Sequence, residues 1–103
     1  MIGTVAVIAG KPGTGDQLEA ALRDLAAGTH GEEGCILYSL QRGLADPDTF
    51  VTVEKWRSQD DLDAHMQTPH IAAALGIATD LLARDILIVP TNLLDTGDAK
   101  GAF

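Results

Sequence analysis

The stretch from residue 49 to residue 70, TFVTVEKWRSQDDLDAHMQTPH, constrains the fold of this chain more than any other. In an extended conformation Phe50, Thr52, Glu54 and Trp56 share one face and Val51, Val53 and Lys55 the other, because a strand alternates its side chains with a period of two. Both faces are mostly apolar. Such a strand needs cover on two sides, which a small domain supplies from its own helices on one side and from a second copy of itself on the other. A homodimer is therefore the first expectation. Directly after the strand, Ser58 stands at an N-cap position with Asp60 and Asp61 in the following turn, where negative charge meets the positive end of the helix dipole. Leu62, His65, Met66 and Pro69 then recur at i, i+3, i+4 and i+7, which puts His65 on the inward stripe. A group that titrates near neutrality thus stands among apolar side chains. Two roles fit it, a hydrogen-bonded core or interface histidine and a proton carrier.

The rest of the chain is organised around this unit. Residues 2–9 read as a short strand ended by Gly10, Pro12, Gly13 and Gly15, and residues 16–29 as an amphipathic helix with Leu18, Ala21, Leu22 and Leu25 inward. Residues 35–42 form a second strand, with Ile36, Tyr38 and Leu40 on one face and Cys35, Leu37 and Ser39 on the other. The Asp46-Pro47-Asp48 turn pairs this strand with residues 49–56 as a hairpin. Thr68-Pro69 repeats the helix-start signal, so a new helix begins there and runs to about residue 84, contiguous with the first piece but bent from it at Pro69. Residues 85–91 are the last strand, with Pro90 marking an edge or an exit. The order β-α-β-β-α-β predicts an α+β, ferredoxin-like fold with a four-stranded antiparallel sheet and helices on one face. Residues 1–92 make the domain, and residues 93–103 are a segment that is flexible or docks on the partner subunit.

Charge and single residues exclude several classes. A formal charge of −8 with seven scattered Lys and Arg speaks against a nucleic-acid partner. No run approaches the length of a membrane span, and the start lacks a basic, cleavable leader, so a cytoplasmic protein without a membrane partner is expected. Cys35, the one cysteine, reads as a packed thiol. The run from Gly10 to Gly15 lacks the frame of a phosphate loop and reads as a turn. His65 and His70 are five apart across a proline break, which is not the spacing of two ligands on one helix face, so no metal is expected. Glu54 is either paired with Arg57, Arg42 or a partner residue, or lines a pocket as an acid. Asp61, at i−4 from His65, either orients the imidazole or serves the helix dipole alone. His70 either lies exposed at a helix start or touches ligand.

Four features together resemble the antibiotic biosynthesis monooxygenase family of dimeric α/β barrels: the short first strand, the Glu33-Gly34-Cys35 junction into Tyr38, the Val53-Glu54-Lys55-Trp56 strand end, and Leu62-x-x-His65 followed by Thr68-Pro69-His70. The resemblance implies a dimer of ferredoxin-like subunits. Its haem-degrading branch carries a strand asparagine, a helix tryptophan and a later histidine; here His65 and Leu75 occupy the latter two places and the first strand has no asparagine, which sets haem aside. What remains implied is a cofactor-independent oxygenase in which His65 is the base acting on an apolar phenol, quinol or anthrone with O2. Tyr38 and Trp56 would bound the aromatic slot, and Phe50, Leu40 and Met66 would complete its walls, with Glu54 and His70 as further candidates. Two other readings stay open, an isomerase or epimerase of a small keto compound and a non-catalytic dimer that binds a small ligand.

Overall fold

Alternating and capped segments produce seven elements in the computed structural model, which describes all 103 residues. They are β1 (Ile2–Ala9), α1 (Gly15–His30), β2 (Cys35–Arg42), β3 (Thr49–Trp56), α2 (Gln59–His65), α3 (Pro69–Ala78) and β4 (Leu87–Thr91). The strands form one four-stranded antiparallel sheet in the order β2-β3-β1-β4. Register carries the site: Tyr38, Glu54, Thr4 and Pro90 stand side by side across the sheet, with Leu40, Thr52, Ala6 and Ile88 in the next row on the same face. That face is buried at Thr4, Ala6 and Tyr38 and along β3, whose four inward residues are sealed from solvent, whereas Pro90 and Ile88 of the edge strand β4 are exposed. Against it pack Leu18, Leu22 and Leu25 of α1 and Ile71, Ala74 and Ala78 of α3, the inward stripes set by helical periodicity. A second cluster of Tyr38, Trp56 and Leu62 closes the end nearest α2. The opposite face has no helix over it, and there Val5, Leu87 and Val89 are exposed.

The second helical region is two helices, as its two start signals predict. Ser58 Oγ accepts from the Asp61 amide at 3.2 Å to start α2, and Thr68 Oγ1 accepts from the Ile71 amide at 3.4 Å to start α3. Thr68 also donates to the His65 carbonyl at 2.8 Å, so one hydroxyl ends the first helix and begins the second. Thr68→Ala should therefore lower stability by about 1 kcal/mol, a typical N-cap contribution, read as a reduced urea midpoint at unchanged m-value. An unchanged midpoint would show the cap to be dispensable. The end of the region departs from the sequence-based expectation: α3 stops at Ala78 and not near residue 84, because the following chain is drawn to the sheet. The Leu81 carbonyl accepts from the Lys11 amide and the Ala83 amide donates to the Ala9 carbonyl, both at 2.8 Å.

β2 also departs from simple alternation. The register shifts between Cys35 and Leu37, so Cys35 lies opposite Trp56 and packs on the Tyr38–Trp56–Leu62 cluster, while Ile36 is the extra residue and is exposed. Burial raises the Cys35 thiol above its usual range, assisted by the nearby Glu32 and Glu54. The glycine run after β1 is a turn held by the hairpin: the Asp48 carboxylate accepts from the amides of Gly13, at 3.1 Å, and Gly15, at 2.8 Å. Gly13 has φ +86°, a conformation that disfavours side chains.

Candidate active site

Five elements and one loop deliver the site. β1 contributes Thr4, β2 Tyr38, β3 Thr52, Glu54 and Trp56, α2 His65, α3 His70, and the loop between α1 and β2 contributes Glu32. His65 is 3% exposed. Its ring lies over the Trp56 indole, with centroids 4.6 Å apart, and beside Tyr38 at 5.9 Å. Glu32 Oε2 stands 2.6 Å from His65 Nδ1 and 2.8 Å from His70 Nε2. An ionised carboxylate only accepts, so both imidazoles donate to it; in the neutral form of His65 the proton is then on Nδ1 and the lone pair on Nε2, which has no hydrogen-bond partner in the chain. No Lys or Arg competes for Glu32. Arg57, the nearest in sequence to β3's end, is held by Asp61 at 2.9 Å and by Glu33 at 3.4 Å.

His65 forms one wall of a cavity between the sheet and the helices. Leu22, Leu25, Ile71, Ala74 and Ile86 line it, and the half-exposed Met66, Leu75 and Ile88 stand at its mouth. Near His65 the lining turns polar, with Thr4, Tyr38, Thr52 and Glu54. Glu54 is 4% exposed and has no cationic partner; it accepts from Thr52 Oγ1 at 2.7 Å and from Trp56 Nε1 at 2.9 Å. Burial, reinforced by the Glu54 charge, pushes the Tyr38 phenol well above its usual range, so it stays protonated as a donor. The Thr4 hydroxyl is buried without any partner. An unpaired hydroxyl beside a cavity is a group that a ligand oxygen would satisfy. The space open to the centre of a water-sized sphere is about 70 Å³.

His65, Tyr38, Met66 and Glu54 of the sequence-based candidates line this cavity. Trp56 does not. It lies beneath His65, fully buried, with its N–H committed to Glu54. Phe50 and Leu40 do not line it either, because they lie further along the sheet under α1, beside a separate groove with Arg23, His30 and Arg42. Glu54 pairs with neither Arg57 nor Arg42; the latter is taken by Asp16 and Glu19. Asp61 does not orient His65. Its carboxylate points along the helix surface to Arg57 and Ser58, and the Arg57 hydrogen bond holds it below the usual carboxylate range. His70 sits outside the cavity, on Glu32. The spacing argument against joint action of His65 and His70 fails because they belong to different helices, and the turn between them aims both rings at one carboxylate. Glu32 itself was not singled out from the sequence. It lies in a glycine-rich loop without periodicity, and the only signal was the paired Glu32-Glu33 ahead of Gly34-Cys35.

Comparison with known proteins follows the same lines. The family model described as "Antibiotic biosynthesis monooxygenase" matches residues 1–76. The "Putative monooxygenase Rv0793" of Mycobacterium tuberculosis is 32% identical over 96% of this chain and 100% of its own length. The "Probable quinol monooxygenase YgiN" of Escherichia coli is 34% identical over 60% of this chain and 68% of its own. A crystal structure described as an antibiotic biosynthesis monooxygenase superposes with a TM-score of 0.87 at 26% identity, covering 92% of this chain and 100% of the other.

Proposed function

The chain belongs to the antibiotic biosynthesis monooxygenase family, and from that premise we propose that it is a cofactor-independent monooxygenase of a small phenol or quinol, with His65 as the base. The observation that carries this reading is the position of His65 between a carboxylate and an apolar cavity. Glu32 fixes the tautomer and ring orientation, so Nε2 faces substrate as an acceptor. Taking the proton from an electron-rich ring gives an anion that passes an electron to O2. Recombination forms a carbon–oxygen bond to a peroxide, and loss of the remaining ring hydrogen with hydroxide leaves a carbonyl. The balance is RH2 + O2 → R=O + H2O, and the proton held by His65 goes to the departing hydroxide. Tyr38 and the unpaired Thr4 hydroxyl are the donors available to the ring oxygens.

The test is oxygen uptake by chelator-treated protein against hydroquinones, naphthols and anthrones, corrected for autoxidation. Uptake that depends on protein supports the reading, and the preferred ring system names the substrate class; no protein-dependent uptake with any of them counts against it. Glu54, a carboxylate on the same cavity as His65, favours an isomerase as the alternative, which would turn over a keto compound without O2.

Assembly belongs to the same proposal. Val5, Val53 and Val89 lie in line across the uncovered sheet face, and a second copy of the chain is the cover proposed for it. Val53→Glu, which puts a charge into both copies of a symmetric interface, should convert dimer to monomer in sedimentation equilibrium. A monomeric wild-type protein would remove the dimer from the proposal. The segment 93–103 is the candidate arm, and in this chain its Phe103 carbonyl accepts from Lys55. A cytoplasmic setting, with Cys35 reduced, completes the reading; no helix is long and apolar enough to cross a membrane.

A further inference from the structure

Glu32, His65 and His70 hold more than a proton carrier needs. A dyad requires one imidazole and one carboxylate, yet a second imidazole arrives on the same oxygen from another helix and from outside the cavity. Its seat is specific. α1 carries Gly28 beneath the His70 ring, where an added Cβ would stand 2.7 Å from Cγ, so the approach depends on glycine there. The three donor atoms lie within 4.8 Å of one another.

We propose that Glu32 Oε2, His65 Nδ1 and His70 Nε2 bind one divalent transition cation of the zinc type. Two imidazoles and a carboxylate form a donor set that suits Zn²⁺, Co²⁺ and Fe²⁺ rather than Mg²⁺ or Ca²⁺. Zn–N bonds of about 2.0–2.1 Å in a tetrahedron separate donors by about 3.3 Å. Both carboxylate edges, at 2.6 and 2.8 Å, are already shorter than that. The edge between the imidazoles is at most 4.8 Å and must close by no more than about 1.5 Å, while the two carboxylate edges must open by about 0.5–0.7 Å. His65 is locked by burial, whereas the side chains of Glu32 and His70 are 15% and 24% exposed. Those two supply the movement, the way in from solvent and room for water at the open position. Since no Lys or Arg pairs with Glu32, the cation meets no charged competitor on the protein.

The cation would sit on Nδ1, behind His65 as seen from the cavity. It replaces the proton shared with Glu32, so Nε2 is then backed by a dication in place of a carboxylate and becomes a weaker base. Slower oxygenation follows; that consequence rests on the function proposed above, whereas binding does not.

The test uses the full chain, freed of metal by chelator and dialysed. Co²⁺ is followed by visible absorption and Zn²⁺ by calorimetry, in the wild type and in Glu32→Gln, His70→Gln and His30→Gln, each checked for folding by circular dichroism. Expected are one cation per chain, ligand-field bands for Co²⁺, affinity weakened by ~10-fold or more in the first two variants, and no change in His30→Gln, whose Nε2 is engaged with the Tyr38 carbonyl. Substoichiometric uptake, absent ligand-field bands, or equal affinity in all four proteins would overturn the site. Oxygen uptake is recorded in parallel. Binding with the expected variant pattern but without inhibition leaves the site standing and removes His65 as the base, whereas inhibition-free uptake lost in His65→Ala with no cation bound does the reverse.

Discussion

His65→Ala is expected to reduce protein-dependent oxygen uptake by ~10²-fold or more, the usual contribution of a positioned general base, while leaving ligand binding within a few-fold of wild type. The separation follows from the walls. Leu22, Leu25, Ile71 and Ala74 make the apolar contacts, and none of them depends on the imidazole. Glu32→Gln retains the size and a hydrogen-bonding group but not the charge, so the tautomer is no longer fixed and uptake should fall by an intermediate factor. Asp61→Asn is the informative control. Asp61 is the carboxylate that helical spacing places nearest to His65, yet its oxygens go to Arg57 and Ser58. Uptake near the wild-type rate in Asp61→Asn, with a loss in Glu32→Gln, is the expected pair. The opposite pair would return the orienting role to Asp61 and remove Glu32 from the mechanism. A full rate in His65→Ala would end the oxygenase reading in its present form.

The contrast between Asp61 and Glu32 marks where the sequence stops being readable. Local periodicity places a side chain on a face. It located the inward row of β3, the stripe of α1, both helix starts and the burial of His65, because each of these is decided within one element. It does not say which loop arrives above that face. Glu32 is 33 residues from His65, and only the packing of α1 against α3 and the entry into β2 bring the two together. The neighbouring Glu33, singled out at the junction into β2, goes instead to Arg57 on the surface. A register shift at Ile36 similarly exchanged the faces expected for Cys35 and Ile36, since one extra residue reverses the alternation. Phe50 and Leu40 were placed on the correct sheet face and the wrong part of it. Position along a strand matters as much as face when a cavity occupies one end.

Trp56 joins stability to the site, and two substitutions separate its contributions. The indole is fully buried between Leu62, Ile2 and Cys35 and lies under the His65 ring. Trp56→Ala removes that body and should cost about 3–5 kcal/mol, a large share of the roughly 5–15 kcal/mol that holds a domain of this kind folded. Trp56→Phe keeps most of the apolar contact and removes only the N–H that donates to Glu54 Oε1 at 2.9 Å. A buried carboxylate oxygen is then left without a donor, at a cost of about 1–3 kcal/mol. Urea midpoints should therefore fall in the order wild type, Trp56→Phe, Trp56→Ala. The ordering alone does not distinguish lost packing from the lost hydrogen bond, but a double mutant does. In a Glu54→Gln background the carboxamide does not carry the charge whose desolvation the indole offsets, so the additional loss on Trp56→Phe should shrink. An unchanged loss would mean that Trp56 acts by volume alone, and that Glu54 is held on the cavity by Thr52, whose hydroxyl donates to Oε2 at 2.7 Å, without help from the indole.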